Sequence, residues 1–301
     1  MERNDFFTKI EKAVAEFMPE ANVSVTEVMK NNGLLLHGLV INRKESKVSP
    51  TIYLEQFYEQ YEDGTPFGEI VRNIEETMRE HERDDVNMDY FRDFEKVKDR
   101  IVYKIVNYEM NVELLESVPY VKWNDLAIVF CHVCDECMLG YATILIRNCH
   151  LDMWGIDNEQ LYEYARINTP RLMQDEMTSM DEVLKDIMER NQCFMPLPEQ
   201  GVDAAVGNMY VLTNAKRIFG ATSMLYSRRL EELSDRFGTG LYILPSSIHE
   251  VIILPESDTC DVEYIRDMIS EVNETQVSLE ERLSDNLYYY DRDRREIRIA
   301  V

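Results

Sequence analysis

The chain is poor in positive charge. Its 301 residues carry 32 Lys and Arg against 57 Asp and Glu, a formal net charge of −25. The acids are spread along the chain rather than gathered in a tail. A field of that sign repels phosphate backbones and anionic lipids, which disfavours general nucleic-acid binding. The compact basic runs are Arg43, Lys44 and Lys47, then Arg228–Arg229, then Arg292–Arg295. Each is short and sits beside acids, so they read as solvated turns and helix faces. Glycine and proline are scarce too, at 11 and 9, which fits neither a collagen-like nor a linker-dominated chain. No apolar run approaches the roughly 20 residues of a membrane span. The opening MERNDFFTKIEKAVAEF places Phe6, Phe7, Ile10, Val14 and Phe17 at helical spacing between charges, unlike a signal peptide. Six cysteines without an export signal lead us to expect reduced thiols and a cytoplasmic location.

Signature patterns of catalysis are also missing. There is no GxGxxG, GxxxxGK[ST], GxSxG or HExxH. His81-Glu82 and His249-Glu250 lack a second His at the required offset, and Asp291–Arg294 lacks the Gly and Glu of a calcium loop. Nothing calls for a cofactor. What is present is core-forming: hydrophobic residues make up 45%, with 17 Tyr, too much for a disordered chain.

Periodicity and punctuation divide the chain into short elements. A hairpin, Val23–Met29 and Leu34–Ile41, turns at Asn31-Asn32-Gly33, where Asn and Gly tolerate positive φ. Ser49-Pro50 signals a helix bearing Tyr53, Leu54, Phe57, Tyr58 and Tyr61, stopped by Gly64. Thr65-Pro66 starts another, with Phe67, Ile70, Val71, Ile74 and Met78. Phe91, Phe94, Val97, Ile101 and Ile105 suggest a third. Leu126–Val133 and Ala142–Ile146 read as strands. Asp157 to Gln160 and Ser179 to Glu182 read as capping boxes. Met209–Thr213 and Phe219–Leu225 read as strands, followed by a helix with Leu230, Leu233 and Phe237. The flanks of LPSSIHE give two strands, Val262–Val272 a helix, and Leu287–Tyr290 with Glu296–Ala300 a closing hairpin. Strand–turn–strand–helix thus recurs near 23–61, 126–167 and 209–237. Short turns imply antiparallel pairs, hence an α+β fold of mixed or mainly antiparallel sheets with packed helices. We expect a lobe over residues 1–110 and a second over 111–301, with a weak linker near 193–201 at Met195-Pro196-Leu197-Pro198.

Three constellations invite a chemical reading. In FCHVCDEC, Cys131, Cys134 and Cys137 have metal-like spacing. If the strand runs on, however, Cys131 and Cys134 lie about 10 Å apart on opposite faces, whereas thiolates sharing a zinc lie within about 4 Å. Core thiols are the simpler account. His132 and His150 are single histidines near strand ends, with no ligand-type neighbour at i+2 or i+4 beyond those cysteines and acids, and His37 and His81 carry even less signal. In LPSSIHEV, Ser247 and His249 share a strand face, roughly 6.6–7 Å apart, wide for a nucleophile–base hydrogen bond. Glu250 falls on the opposite face, so a turn is the simpler account here too. In Tyr288-Tyr289-Tyr290, Tyr288 and Tyr290 share one face, a candidate partner-binding edge because Tyr is enriched in hot spots.

The run MYVLTNAKRIFGATSMLYSRRLEELSDRFGTGLYILPSSIHEVIILP, with LSDNLYYYDRDRREIRIA, resembles an uncharacterised domain-of-unknown-function family of Firmicutes, common in gut Clostridia. PTIYLEQFYEQYEDG and LYEYARINTPRL resemble it as well. The resemblance implies a bacterial cytosolic protein and transfers no functional residue. The three cysteines of FCHVCDEC do not belong to its pattern. The reading that follows is a non-enzymatic binding module with a protein partner and no membrane attachment. A hydrolase using Ser247 and His249 is the alternative, and an acidic nucleic-acid mimic is a distant third.

Overall fold

The computed structural model describes residues 1–43, 51–81, 88–134, 143–183, 185, 209–257 and 261–300. It is an α+β fold with three antiparallel sheets. Among the described residues no helix is long and apolar enough to cross a membrane.

The first sheet lies in the N-terminal part of the chain and packs around a hydrophobic cluster of its own. Helix α1 (Arg3–Phe17) buries Phe6, Phe7, Ile10 and Val14 at helical spacing. It packs on the hairpin β1 (Ala21–Met29) and β2 (Leu35–Arg43), which pair from Ala21↔Arg43 to Met29↔Leu35. The expected helix start at Ser49-Pro50 lies outside the described residues. Thr51–Tyr53 forms a strand, β3, beside β2, so helix α2 begins only at Glu55 (Glu55–Glu62). Thr-Ile-Tyr is a strand-favouring triplet that extends an existing sheet edge. Helix α3 (Phe67–His81) completes a core of Phe6, Ile10, Leu39, Leu54, Ile70 and Ile74.

The second correction concerns the expected third helix. Only short turns are helical, α4 (Phe94–Val97) between the 3-10 turns Met88–Arg92 and Lys98–Arg100; Ile101–Asn107 is strand β4. Ile101 and Ile105 are four residues apart, a spacing that satisfies both a helix and one face of a strand. Burial on both faces decides the matter. Ile101, Tyr103 and Ile105 enter the main core, while Val102 and Val106 enter two smaller clusters.

After α5 (Val112–Leu115), β5 (Tyr120–Trp123) and β7 (Thr143–Leu145) pair with one side of β6 (Leu126–Val133), and β4 with the other. Thus β4, before residue 110, pairs along its length with a strand beyond it. Helices α6 (Asn148–Trp154) and α7 (Asn158–Leu172) follow. The Asp157–Gln160 capping box forms, with Gln160 N–H donating to Asp157 Oδ1 at 2.8 Å. Ser179 ends a strand, β8 (Asp175–Ser179), and also caps the helical turn after it: Glu182 N–H donates to Ser179 Oγ at 3.3 Å. Residues 193–201 lie outside the described residues.

The largest sheet runs β13-β12-β10-β11-β9-β8. Its remaining strands are β9 (Tyr210–Asn214), β10 (Leu241–Leu244), β11 (Val251–Pro255), β12 (Tyr288–Asp291) and β13 (Glu296–Ile299). One face packs Leu212, Leu241, Ile243, Val251, Ile253 and Tyr288 against the β4–β6 sheet. The other packs Tyr242, Leu244 and Leu254 under α9 (Val262–Thr275).

The third correction lies in this sheet's neighbourhood. The expected strand Phe219–Leu225 is a 3-10 helix, Gly220–Leu225, preceding α8 (Arg229–Phe237). Phe219 turns the chain at φ 54. Gly220 has no room for a Cβ, which would overlap Thr213 Oγ1 and His249 O. The third strand–turn–strand–helix unit is therefore incomplete.

Candidate functional site

The Ser247–His249 corner joins β10 to β11. Its backbone is stitched to the segment after α9. Ser284 N–H donates to Pro245 O, Leu283 N–H to Ser246 O, and Ile248 N–H to Glu281 O, at 3.0, 3.1 and 2.9 Å. Ser247 Oγ accepts from the His249 N–H at 3.0 Å, a local turn bond. The imidazole is engaged at both nitrogens. Nδ1 accepts from Phe219 N–H at 3.4 Å, and Nε2 lies 3.4 Å from Glu281 Oε1. The ring stacks parallel to Phe219, with centroids 6.2 Å apart. An acid therefore accompanies His249, but it is Glu281, supplied from 32 positions downstream. Glu250 is exposed.

Of the cysteine set, Cys131 is buried, Cys134 is half-buried, and Cys137 lies outside the described residues. Burial pushes the Cys131 thiol up, against a smaller pull from Lys104. Cys134 Sγ lies 4.0 Å from His132 Nδ1, and the His132 ring packs beside Tyr90 and Phe91. Among the described residues no group of three His, Cys, Asp or Glu is placed to hold a metal. His150 serves helix α6: its Nδ1 accepts the Arg147 N–H at 3.1 Å. Burial, then the Arg147 guanidinium, holds the imidazole below its usual range.

Tyr288 and Tyr290 share the inward face of β12, and Tyr289 points the other way. Tyr288 is fully buried, its hydroxyl donating to Asp125 Oδ1. Burial and that carboxylate push its phenol far up. Tyr289 donates to Glu256 Oε2 at 2.7 Å, and burial with Glu256 pushes it up to about 12.

Tyr290 also lines an open groove of about 470 Å³. The groove lies between the edge strand β13, the 3-10 helix and the start of α8. Trp123, Leu225, Arg228, Arg295 and Ile297 also line it, together with the carboxylates of Glu231 and Glu296. Trp123 is held edge-on to Tyr288, centroids 5.6 Å apart. Arg295, at φ 54 in the hairpin turn, pairs with Glu231 at 2.5 Å. Arg228 is exposed, and among the described residues no carboxylate pairs with it. The groove thus brings Arg228 to Tyr290 and Arg295, which lie more than 60 residues downstream in the chain. The clue available in sequence was their shared content of Arg and Tyr, with no signal of contact.

The chain matches the model of a family of unknown function (DUF5688) over residues 3–292. The chain belongs to DUF5688. The match takes in Cys131, Ser247, His249, Tyr288 and Tyr290 and ends before Arg295 and Ile297. No curated protein and no solved structure matches.

Proposed function

We propose that this DUF5688 protein is a binding module that receives an extended segment of a partner protein along β13. The groove beside that edge strand carries the reading. Among the described residues nothing pairs with the outer edge of β13, so its backbone can extend the sheet by one strand. Beside that edge, Trp123, Leu225 and Ile297 offer apolar contact, and Arg228 offers a guanidinium for a carboxylate. Trp, Tyr and Arg are the residues most enriched in binding hot spots. The net charge of −25 repels a run of acids, so the fitting segment has an apolar side chain and a single nearby acid. A bacterial, cytoplasmic setting, in Firmicutes, accompanies this reading.

The test is a panel of extended peptides carrying that pattern, measured by fluorescence anisotropy. Trp123→Ala and Arg228→Glu are each expected to weaken the selected peptide at least about tenfold, about 1.4 kcal/mol. Equal binding by parent and both variants contradicts the proposal.

A hydrolase using Ser247 and His249 is the second reading, favoured by the His249–Glu281 contact. Against it, Ser247 Oγ serves a backbone N–H, and both imidazole nitrogens already have partners. Ester and peptide turnover that disappears in Ser247→Ala would establish it.

A further inference from the structure

The hairpin turn between β1 and β2 leaves its own sheet and seats in the rest of the molecule. Asn32, in that turn, is buried and has φ 59 and ψ 32. Its N–H donates to Asn111 Oδ1 at 2.8 Å, and Asn111 Nδ2 donates back to Asn32 Oδ1 at 2.7 Å. Asn32 Nδ2 donates to Leu279 O and Arg282 O, both at 2.7 Å. Asn31 Nδ2 donates to Glu280 O at 2.6 Å. Every polar atom of the Asn32 side chain is therefore committed across the joint. The cluster around the first sheet, Phe6 to Met78, shares no buried residue with the main core, Phe91 to Tyr290. Lifting the turn would leave both cores intact.

Asn32 is followed by Gly33. A glycine nitrogen is the least hindered of all for attack on the preceding side-chain amide. In that reaction Gly33 N bonds to Asn32 Cγ and ammonia leaves, giving a succinimide. Water then opens the ring to an aspartyl or isoaspartyl residue. One ammonia is lost and one water consumed, with no change of oxidation state. In the seated turn the amide carbon is held by three side-chain hydrogen bonds, and the backbone is fixed in its left-handed conformation.

We propose that Asn32-Gly33 is a latent deamidation site, masked while the N-terminal lobe is seated and reactive when it lifts. The product prevents reseating. An aspartyl carboxylate at this position loses both donors to Leu279 O and Arg282 O and sets buried oxygen against oxygen. An isoaspartyl link adds a backbone carbon to a turn whose register is fixed at Met29↔Leu35.

The test ages the full chain in mildly alkaline buffer, with and without denaturing urea, and maps amide-to-acid conversion at Asn32 by peptide mass. The native chain is expected to react at least about tenfold more slowly, since each factor of ten corresponds to about 1.4 kcal/mol of opening free energy. Asn111→Ala, which removes the reciprocal amide, is expected to bring the native rate toward the unfolded one. The Asn32→Asp chain serves if that variant does not fold. Faster amide exchange at Leu279–Arg282, with protection retained in the Phe6–Met78 core, is the supporting result. Equal native and unfolded rates, or unchanged exchange at Leu279–Arg282 in Asn32→Asp, overturns the proposal.

Discussion

Asp125 gathers three donors at once. Ser284 Oγ and Asn286 Nδ2 reach its Oδ2 at 2.6 and 2.9 Å, and the buried Tyr288 hydroxyl reaches Oδ1. Asp125→Ala strands all three. We expect a loss of about 2–4 kcal/mol in urea unfolding, against about 1–2 kcal/mol for Tyr288→Phe, which leaves the other two bonds intact. His150 gives a pH dependence. Its depressed pKa means that folding favours the neutral ring, whose Nδ1 caps α6. That contribution is complete above the unfolded value of about 6.5 and is lost as pH falls through it toward the lower folded value. The melting-temperature gap between parent and His150→Gln should therefore shrink on acidification from about pH 7 to about pH 5. A gap that stays constant or widens contradicts this role. At this scale alternation along a strand was readable, and it correctly put Tyr288 and Tyr290 on one face. The contact of His249 with Glu281 was not readable, because no local period links positions 32 apart.

Among the elements, β4 is an edge strand whose free side is sealed by side chains of α7. Thr169 Oγ1 accepts the Tyr103 N–H at 3.0 Å, and Asn168 Nδ2 donates to Ile101 O at 3.1 Å. Thr169→Val keeps the shape and leaves a buried N–H without a partner. We expect a cost of about 1–3 kcal/mol and faster amide exchange at Tyr103; an unchanged Tyr103 exchange rate refutes the seal. Elements with punctuation were legible: the Asn31–Gly33 turn and the Asp157–Gln160 box. Ile101–Asn107 was not. It lacks a polar alternation because both faces are buried, and its i,i+4 pair suits either period. Phe219–Leu225 misled for another reason. Its apolar content is strand-like, but Phe219 takes a left-handed φ of 54 and Gly220 lies too close to Thr213 and His249 O for any side chain.

For the whole molecule, the phrase LPSSIHE acts as a seam. The corner it forms is bonded to residues 281–284, and the neighbouring residues 279, 280 and 282 receive the N-terminal hairpin turn. The polar residues that suggest a hydrolase in one dimension connect β10–β11 to the rest of the fold in three. The groove is the converse case. Trp123 and Arg228 look unrelated in sequence to the Tyr290–Ile297 hairpin and meet it at one edge. In the proposed complex, exposed Arg228 is the group that would receive the segment's carboxylate. The decisive measurement is amide hydrogen exchange of the full chain, free and saturated with the tightest peptide of the panel. The account predicts new protection at Arg295–Ile299 and across residues 224–231, with none at 245–250. Protection confined to 245–250 would contradict it and return Ser247 and His249 to the centre of the function.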